Sequence, residues 1–313
     1  MDVRAALDEL RRRWPEAATV AVLRDGNARR NTVLRVDLGG VPAVLKVAAA
    51  GTLAVERAAL AHLGEGLADG EGWVVAPDHG DPEDPGEDAL LAAWGTALGR
   101  LHERTAGFRW EGDGPNVDVD HAVYRWRRGL QRLPANLGAL GVHLHGRAER
   151  ELHGVARILS APAARVLTHG DAGPPNGIFR DGEVRLLDWE VAGPRHRAFD
   201  WFPVVQCWLR AEPRSWSASA EARFRSAYLA EHPAAEPDLD RGLAAVAVAW
   251  AGVAALTVPA RLAADAGRGA MGHRRRIAGA IAEASRRADM HIPALARELG
   301  RASDRLVARG WGR

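Results

Sequence analysis

Several things are scarce in this sequence, and each scarcity excludes something. One cysteine in 313 residues, Cys207, leaves no internal disulfide framework and no cysteine-based structural zinc site, as suits a reducing, cytoplasmic setting. A buried, inert thiol is its expected state. Of 42 basic residues, Lys46 alone is lysine. Heavy use of Ala, Gly, Arg and Pro is a coding bias, and a lysine that survives it marks a place where a compact ammonium does what a guanidinium cannot. Long apolar runs are missing too. Residues 243–260 pass 18 positions without a charge, but alanine dominates them and Thr257 and Pro259 stand near their end, so they predict a buried helix rather than a membrane span. Residues 1–14 alternate apolar and charged positions at helical spacing, unlike a secretion signal. The formal net charge is only +2, and no broad basic stripe points to nucleic acid. What is present, 47% hydrophobic and 26% charged residues, describes an ordinary folded chain long enough for two lobes.

Three β-patterned segments, 19–23, 32–38 and 41–47, are separated by turn signals at Asp25-Gly26-Asn27 and Gly39-Gly40. They predict a small antiparallel sheet. Helical spacing follows over 52–63, with Leu53, Ala54, Ala58, Leu60 and Leu63 on one face and Glu56 in the first turns. A further strand is expected at 73–76, then an acidic Pro/Gly stretch over 77–88 that divides the chain. Beyond it the pattern is mainly helical, at about 89–105, 119–132, 145–160 and in several segments after 198. One β interlude interrupts it: a short strand at 165–169 and a hairpin over 177–188 turning at Asp181-Gly182.

Around that interlude the polar groups cluster at strand ends, where side chains gather into one site. The order is His169-Gly170-Asp171, four residues, Asn176, the hairpin, then Asp188-Trp189-Glu190. Phosphoryl transfer asks little covalent help of a protein: a carboxylate near the attacking hydroxyl, oxygen ligands for Mg2+, and a cation on the nucleotide phosphates. Asp171 fits the first role, Asn176 and Asp188 the second, and Lys46 the third.

His-x-Asp-x4-Asn, followed about a dozen residues later by Asp-aromatic-acid, resembles the aminoglycoside phosphotransferase and choline kinase group of protein-kinase-like enzymes. Val44-Leu45-Lys46-Val47 resembles that group's nucleotide-lysine strand, Glu56 its paired helix glutamate, and the stretch from Gly95 to Leu101-His102 its Leu-His helix. Asp200, in Arg197-Ala198-Phe199-Asp200-Trp201, resembles the aspartate that buttresses the catalytic loop, and residues 26–31, ending at Asn31, resemble the loop over the nucleotide. Two departures stand out: Ala172-Gly173-Pro174-Pro175 replaces the usual leucine after His-Gly-Asp, and 63–73 is short for a full strand before the hinge. The resemblance implies an α+β, two-lobed protein-kinase-like fold with a small N-terminal antiparallel sheet plus helix and a larger, mainly helical C-terminal lobe. Its expected division is a nucleotide-binding lobe over 1–78, a linker over 79–88, and a catalytic and acceptor-binding lobe over 89–313.

The implied activity is Mg2+-dependent transfer of the γ-phosphate of ATP or GTP to a hydroxyl of a small molecule. An antibiotic of aminoglycoside, nucleoside or peptide type, phosphorylated for resistance or self-protection, is the first expectation, and a sugar or amino alcohol the alternative. After residue 200 arginines are at least as numerous as acids, which disfavours a polycationic acceptor. Two other classes compete: a metal-dependent hydrolase on His169, Asp171, Asp188 and Asp200, and a nucleotide-binding module without turnover. His169 reads as a structural support of its loop, and Glu190 either reaches a second metal or faces solvent. Trp201, Trp208 and Trp216 read as core packing before a stacking pocket. His273-Arg274-Arg275-Arg276 reads as a solvated helix face, and His143 and His145 lack the partners of a metal site.

Overall fold

The computed structural model describes residues 2–24, 31–49, 52–110, 120–210, 216–259 and 268–311; within helices, the side chains of 120–125, 206–210, 268–271 and 273 lie outside that description. The expected turn at 25–27, most of the loop over 26–31, and the side chains of Cys207, Trp208 and His273 therefore fall outside the described residues.

Helix α1 (Val3–Arg13) is capped by Asp2, whose side chain accepts from the Ala5 N–H. Strands β1 (Ala18–Arg24), β2 (Thr32–Asp37) and β3 (Pro42–Val47) follow, then α2 (Ala54–Leu63), β4 (Ala68–Gly70) and β5 (Trp73–Pro77). The five strands form one antiparallel sheet in the order β1-β2-β3-β5-β4. Alternation along β3 decides what each face does. Ala43, Leu45 and Val47 join Leu34, Val36, Trp73 and Val75 in a core closed by Ala6 and Leu10 of α1. Val44 and Lys46 point the other way, toward α2, with Val74 opposite Lys46 in the register.

The expected face of α2 needs correction: Val55, Glu56 and Ala59 are buried with Leu53, Leu60 and Leu63, while Ala54 and Ala58 are half-buried. Packing on both the sheet and the helical body widens the buried arc beyond one stripe. The short stretch before the hinge does contain a strand. β4 has only three residues, formed by pairing Ala68 with Val75 rather than by propensity.

The larger body comprises α3 (Glu87–Arg104), α4 (Asp120–Gly138), α5 (Arg147–Leu159), α6 (Trp201–Arg210), α7 (Ala218–Glu231), α8 (Glu236–Ala255), α9 (Arg268–Ala288) and α10 (Pro293–Ala308). Helices α3 and α7 touch closely: a β-carbon on Gly95 would lie 2.4 Å from the Phe224 carbonyl oxygen, and one on Gly99 2.6 Å from that of Tyr228. The apolar run at 243–260 falls largely in α8, where Leu243–Ala249 are all buried. Among the described residues no helix is long and apolar enough to cross a membrane. α4 continues past its expected end, through Pro134, because Leu133 and Leu137 are fully buried and hold the last turns in place.

Two small ladders stand between sheet and helices. β6 (Arg165–Thr168) pairs antiparallel with β9 (Gly193–His196), and β7 (Gly177–Arg180) with β8 (Glu183–Leu186). The hairpin β7–β8 matches the expected turn. β9 has no clear strand pattern in sequence; Gly-Pro-Arg-His becomes extended by lying beside β6.

Candidate active site

Lys46 enters the site from the centre of the sheet, 7% exposed. Its Nζ lies 2.7 Å from Glu56 Oε2, bonds Asp188 Oδ1, and comes within 3.7 Å of Glu190 Oε2. Burial alone would lower its pKa, but the carboxylates of Glu56 and Asp188 outweigh burial and hold the ammonium above its ordinary value. Burial pushes the Glu56 carboxyl up, against the pull of Lys46. Three carboxylates around one ammonium leave a local excess of negative charge. Asn31 Nδ2 reaches Glu190 Oε2 at 3.3 Å, placing the end of the 26–31 loop beside the same cluster.

Asp188 sits just beyond β8 with φ +65, one of two non-glycine residues at positive φ among the described residues. Aspartate tolerates this left-handed region better than most side chains, and such strain gathers at functional sites. The kink takes Asp188 out of the strand's alternation at the Lys46 side.

The second half of the site is the loop after β6. Asp171 stands at its exposed tip, and Asn176 Nδ2 donates to both Asp171 O (2.8 Å) and Asp171 Oδ2 (2.9 Å). Desolvation by the surrounding loop outweighs that hydrogen bond and holds the Asp171 carboxyl above the ordinary range. Ala172-Gly173-Pro174-Pro175 forms a tight turn leading into a single 3-10 turn at Pro174–Asn176. Ala172 is fully buried, and its carbonyl accepts from Trp94 Nε1 at 2.8 Å. This α3 contact is the packing that sequence alone leaves unassigned.

Beneath the loop Asp200 is fully buried, and its carboxylate accepts from the N–H of His169 (2.8 Å) and of Gly170 (2.7 Å). His102 Nε2 lies 3.0 Å from Asp200 Oδ2, and His102 Nδ1 2.8 Å from Tyr228 Oη. Burial alone would raise the Asp200 pKa, but these donors reverse the effect and lower it. An ionised carboxylate only accepts, so His102 donates from Nε2 to Asp200. His169 is buried and does not reach the cleft: Nε2 donates to Leu187 O at 2.7 Å, and Nδ1 accepts from the Asp171 N–H at 3.3 Å. Burial holds its pKa below the ordinary value, so the ring is neutral.

Leu187 joins the halves. Its carbonyl accepts from His169, and its N–H donates to Asn176 O at 2.9 Å. The structure thus links Lys46, Glu56, Asp188, Glu190 and Asn31 on one side with Asp171, Asn176, His169 and Asp200 on the other. A model of the phosphotransferase enzyme family matches residues 19–244. That span covers more than half of the chain and contains both halves of this site. The chain belongs to the phosphotransferase enzyme family.

A search of curated proteins found no match. Solved structures place this family member among kinase-like folds. A putative aminoglycoside phosphotransferase from Ralstonia eutropha is 14% identical with TM-score 0.57, covering 97% of this chain and 98% of that one. A choline/ethanolamine kinase family protein from Mesorhizobium loti is 18% identical with TM-score 0.56, covering 97% and 100%. An amicoumacin kinase in complex with AMP-PNP, Ca2+ and Ami is 15% identical with TM-score 0.54, covering 97% and 94%. The phosphotransferase therefore has the α+β, two-lobed protein-kinase-like fold.

The residues fit a hard divalent cation bound mainly through phosphates and water. Asn176 spends its amide N–H groups on Asp171, which leaves its amide oxygen to act as a metal ligand, and Asp188 Oδ2 has no protein partner among the described residues. No group of three His, Cys, Asp or Glu side chains able to cage a metal occurs among the described residues. His143 and His145 simply stack on each other, ring centres 6.2 Å apart. Trp201 is buried against Phe224 and Tyr228, and Trp216 donates to Glu221, as core packing expects. Arg274 lies over the Trp311 ring while Arg275 and Arg276 are exposed.

Sequence reasoning missed Trp94, Arg195 and Tyr228. Trp94 and Tyr228 look like any apolar helix residue, and Arg195 is one arginine among many. His102, by contrast, was reached from sequence, through the resemblance of the stretch from Gly95 to Leu101-His102 to the family's Leu-His helix.

Proposed function

We propose that this phosphotransferase transfers the γ-phosphate of ATP to a hydroxyl group of a small molecule, with Asp171 as the base, Lys46 on the nucleotide phosphates, and Asn176 and Asp188 as Mg2+ ligands. The observation that carries the reading is the junction at Leu187, which ties the Lys46–Glu56–Asp188 cluster to the Asp171–Asn176 loop. Bound Mg2+ supplies neutralisation of charge on the phosphates. Glu56 keeps Lys46 charged and aimed into the cleft. Asp171 accepts a hydrogen bond from the acceptor hydroxyl, orients its oxygen toward the γ-phosphorus, and takes the proton as the new P–O bond forms. The bond from the γ-phosphorus to the bridging oxygen breaks, and ADP leaves. Asp200 and His169 hold the loop and touch neither substrate. In this reading residues 1–78 clamp the nucleotide, 79–88 form the linker, and 89–313 carry the acceptor side. Asn31 and Glu190 edge the nucleotide site, and GTP is a second candidate donor.

For the acceptor we infer an antibiotic that is not a polycation, of nucleoside or peptide type. Seventeen arginines against eleven acids after residue 200 oppose the many cations of an aminoglycoside, and an amicoumacin kinase shares the fold. A sugar or amino alcohol is the alternative. Incubating the protein with Mg-ATP or Mg-GTP and a panel of antibiotics, sugars and amino alcohols, followed by mass spectrometry for a phosphate-sized gain, tests class, donor and acceptor together. Asp171→Ala should cut turnover by about 10³-fold while AMP-PNP still binds; a variant that retains turnover contradicts the role given to Asp171. A hydrolase would survive Lys46→Ala and need no nucleotide.

A further inference from the structure

Both reacting loops hang from one two-stranded ladder: 169–176 leaves β6, and 188–192 enters β9. Asp171 is on the first and Asp188 on the second, so their separation is set by whatever ties the loops. Two ties meet at Leu187. A third runs underneath, through Arg195 of β9.

Arg195 faces Val166 in the ladder and is 6% exposed. Nη2 donates to Val191 O at 2.6 Å, in the loop that follows Asp188. Nη1 donates at 3.3 Å to Thr168 Oγ1, which itself donates to Gly193 O at 2.9 Å. The same Nη1 presses on Gly170: a β-carbon there would fall 2.3 Å from it and 2.4 Å from Val191 O. Gly170, at φ +87, is thus the one residue type that both the backbone and the guanidinium permit. The hydrogen-bonded partners of Arg195 are all uncharged oxygens, and its Nε has none among the described residues.

Such a group is a poor stabilising element. A guanidinium taken out of water and given neutral, incomplete partners costs more to bury than an apolar side chain of the same length. Burial lowers its pKa to about 10, with Asp200 the charge that opposes the fall, so it remains a cation. What it does that a methionine could not is hydrogen-bond the Asp188 loop, at Val191 O, to Thr168 at the end of β6, directly before the Asp171 loop.

We propose that Arg195 is a positioning residue for phosphoryl transfer, pinning the loop that carries Asp188 to the end of β6, from which the loop that carries Asp171 leaves, and packing on Gly170 of that loop, while touching neither substrate. The inference rests on the roles proposed above for those two aspartates. Misplacing reacting groups by about 1 Å can cost about 10²-fold in rate, which a loosened loop would do without unfolding anything.

The test uses the full chain and its Arg195→Met and Arg195→Lys variants. Thermal midpoint, AMP-PNP affinity, and kcat and KM for Mg-ATP with water as acceptor are measured for each. Methionine fills similar space and removes both hydrogen bonds. Its midpoint should equal or exceed that of the parent, with AMP-PNP affinity and KM within about threefold and kcat lower by at least about tenfold. Lysine keeps the charge and can reach Val191 O, so its kcat should lie between. An Arg195→Met protein with the parent's kcat overturns the proposal. So does one whose kcat, midpoint and nucleotide affinity fall together, with lysine no better. If Arg195→Met does not fold, Arg195→Lys decides: reduced kcat at unchanged KM and midpoint supports positioning, and an unchanged kcat overturns it. A failure of the underlying reading looks different, since Asp171→Ala would then turn over Mg-ATP like the parent.

Discussion

Lys46 shows why residue type matters more than charge. Its ammonium hydrogen-bonds Glu56 and Asp188 and lies within ion-pair reach of Glu190, in a pocket that leaves it 7% exposed. A planar guanidinium is bulkier than an ammonium and directs its donors in a fixed fork, so it does not reproduce these contacts in that space. Lys46→Arg should therefore lower kcat/KM for Mg-ATP by about 10²-fold, read from steady-state kinetics; unimpaired turnover would show that charge alone suffices. Asp171 yields a pH prediction. Its carboxyl is held above the ordinary range by desolvation, only partly offset by Asn176, and a base must be ionised to act. The kcat profile should rise with pH through that raised value, placing its acid limb above where an unperturbed aspartate would put it. The linked stability has its own sign. The folded protein binds the Asp171 proton more tightly than the unfolded chain, so that contribution is present at low pH and is lost as pH rises through the raised value. Asp200 is the reverse case: its lowered pKa contributes stability that is present above the ordinary carboxylate range and is lost as pH falls below it. Asp171, Asn176 and Asp188 were legible because their spacing is short and local. Arg195 was not, since its function lies in a contact with Gly170 and Val191 that no spacing rule describes.

At the scale of elements, the α3–α7 contact carries the buried polar platform. Gly95 and Gly99 let the α7 backbone approach closely enough for Tyr228 to reach His102, and His102 to reach Asp200. Gly95→Ala would put a methyl 2.4 Å from the Phe224 carbonyl oxygen, and overpacking of this kind costs about 1–3 kcal/mol. A thermal midpoint lower by several degrees, in a scan of the variant against the parent, is the expected result; an unchanged midpoint would mean that α7 can give way. The same scale explains which elements were legible. β2, β3 and the hairpin β7–β8 carry their own alternation and turn residues. β4 and β9 do not: Ala-Asp-Gly and Gly-Pro-Arg-His are poor strand formers, made extended by neighbours whose backbone groups need partners. α4 outran its expected end because two buried leucines outweigh one missing hydrogen bond at Pro134.

At the scale of the whole molecule, the described residues form two cores. One lies between α1 and the sheet, and the other runs from α2 and Val74 through the helical body. Lys46 and Glu56 belong to elements packed against the second core, whereas Leu45 and Val47 on the same strand belong to or face the first. A ligand that bridges sheet and catalytic loop should therefore stabilise the chain as a unit. Mg-AMP-PNP at about a hundredfold its Kd should add about 2.7 kcal/mol, seen as a rise in thermal midpoint. Chelating the metal should remove most of that rise, because Asn176 and Asp188 would lose the cation that lets them meet the phosphates. A rise that survives chelation would argue against their role.

The sequence by itself determined the strands that carry Lys46 and the hairpin, the helix that carries Glu56, and the order of polar groups at strand ends, because these depend on side-chain periodicity and turn chemistry within a few residues. Tertiary structure alone decided which groups meet. The short strands, the bend of Asp188, the Trp94 and Tyr228 contacts and the burial of Arg195 all come from distant segments competing for the same space and the same hydrogen bonds, and no local pattern encodes the outcome of that competition.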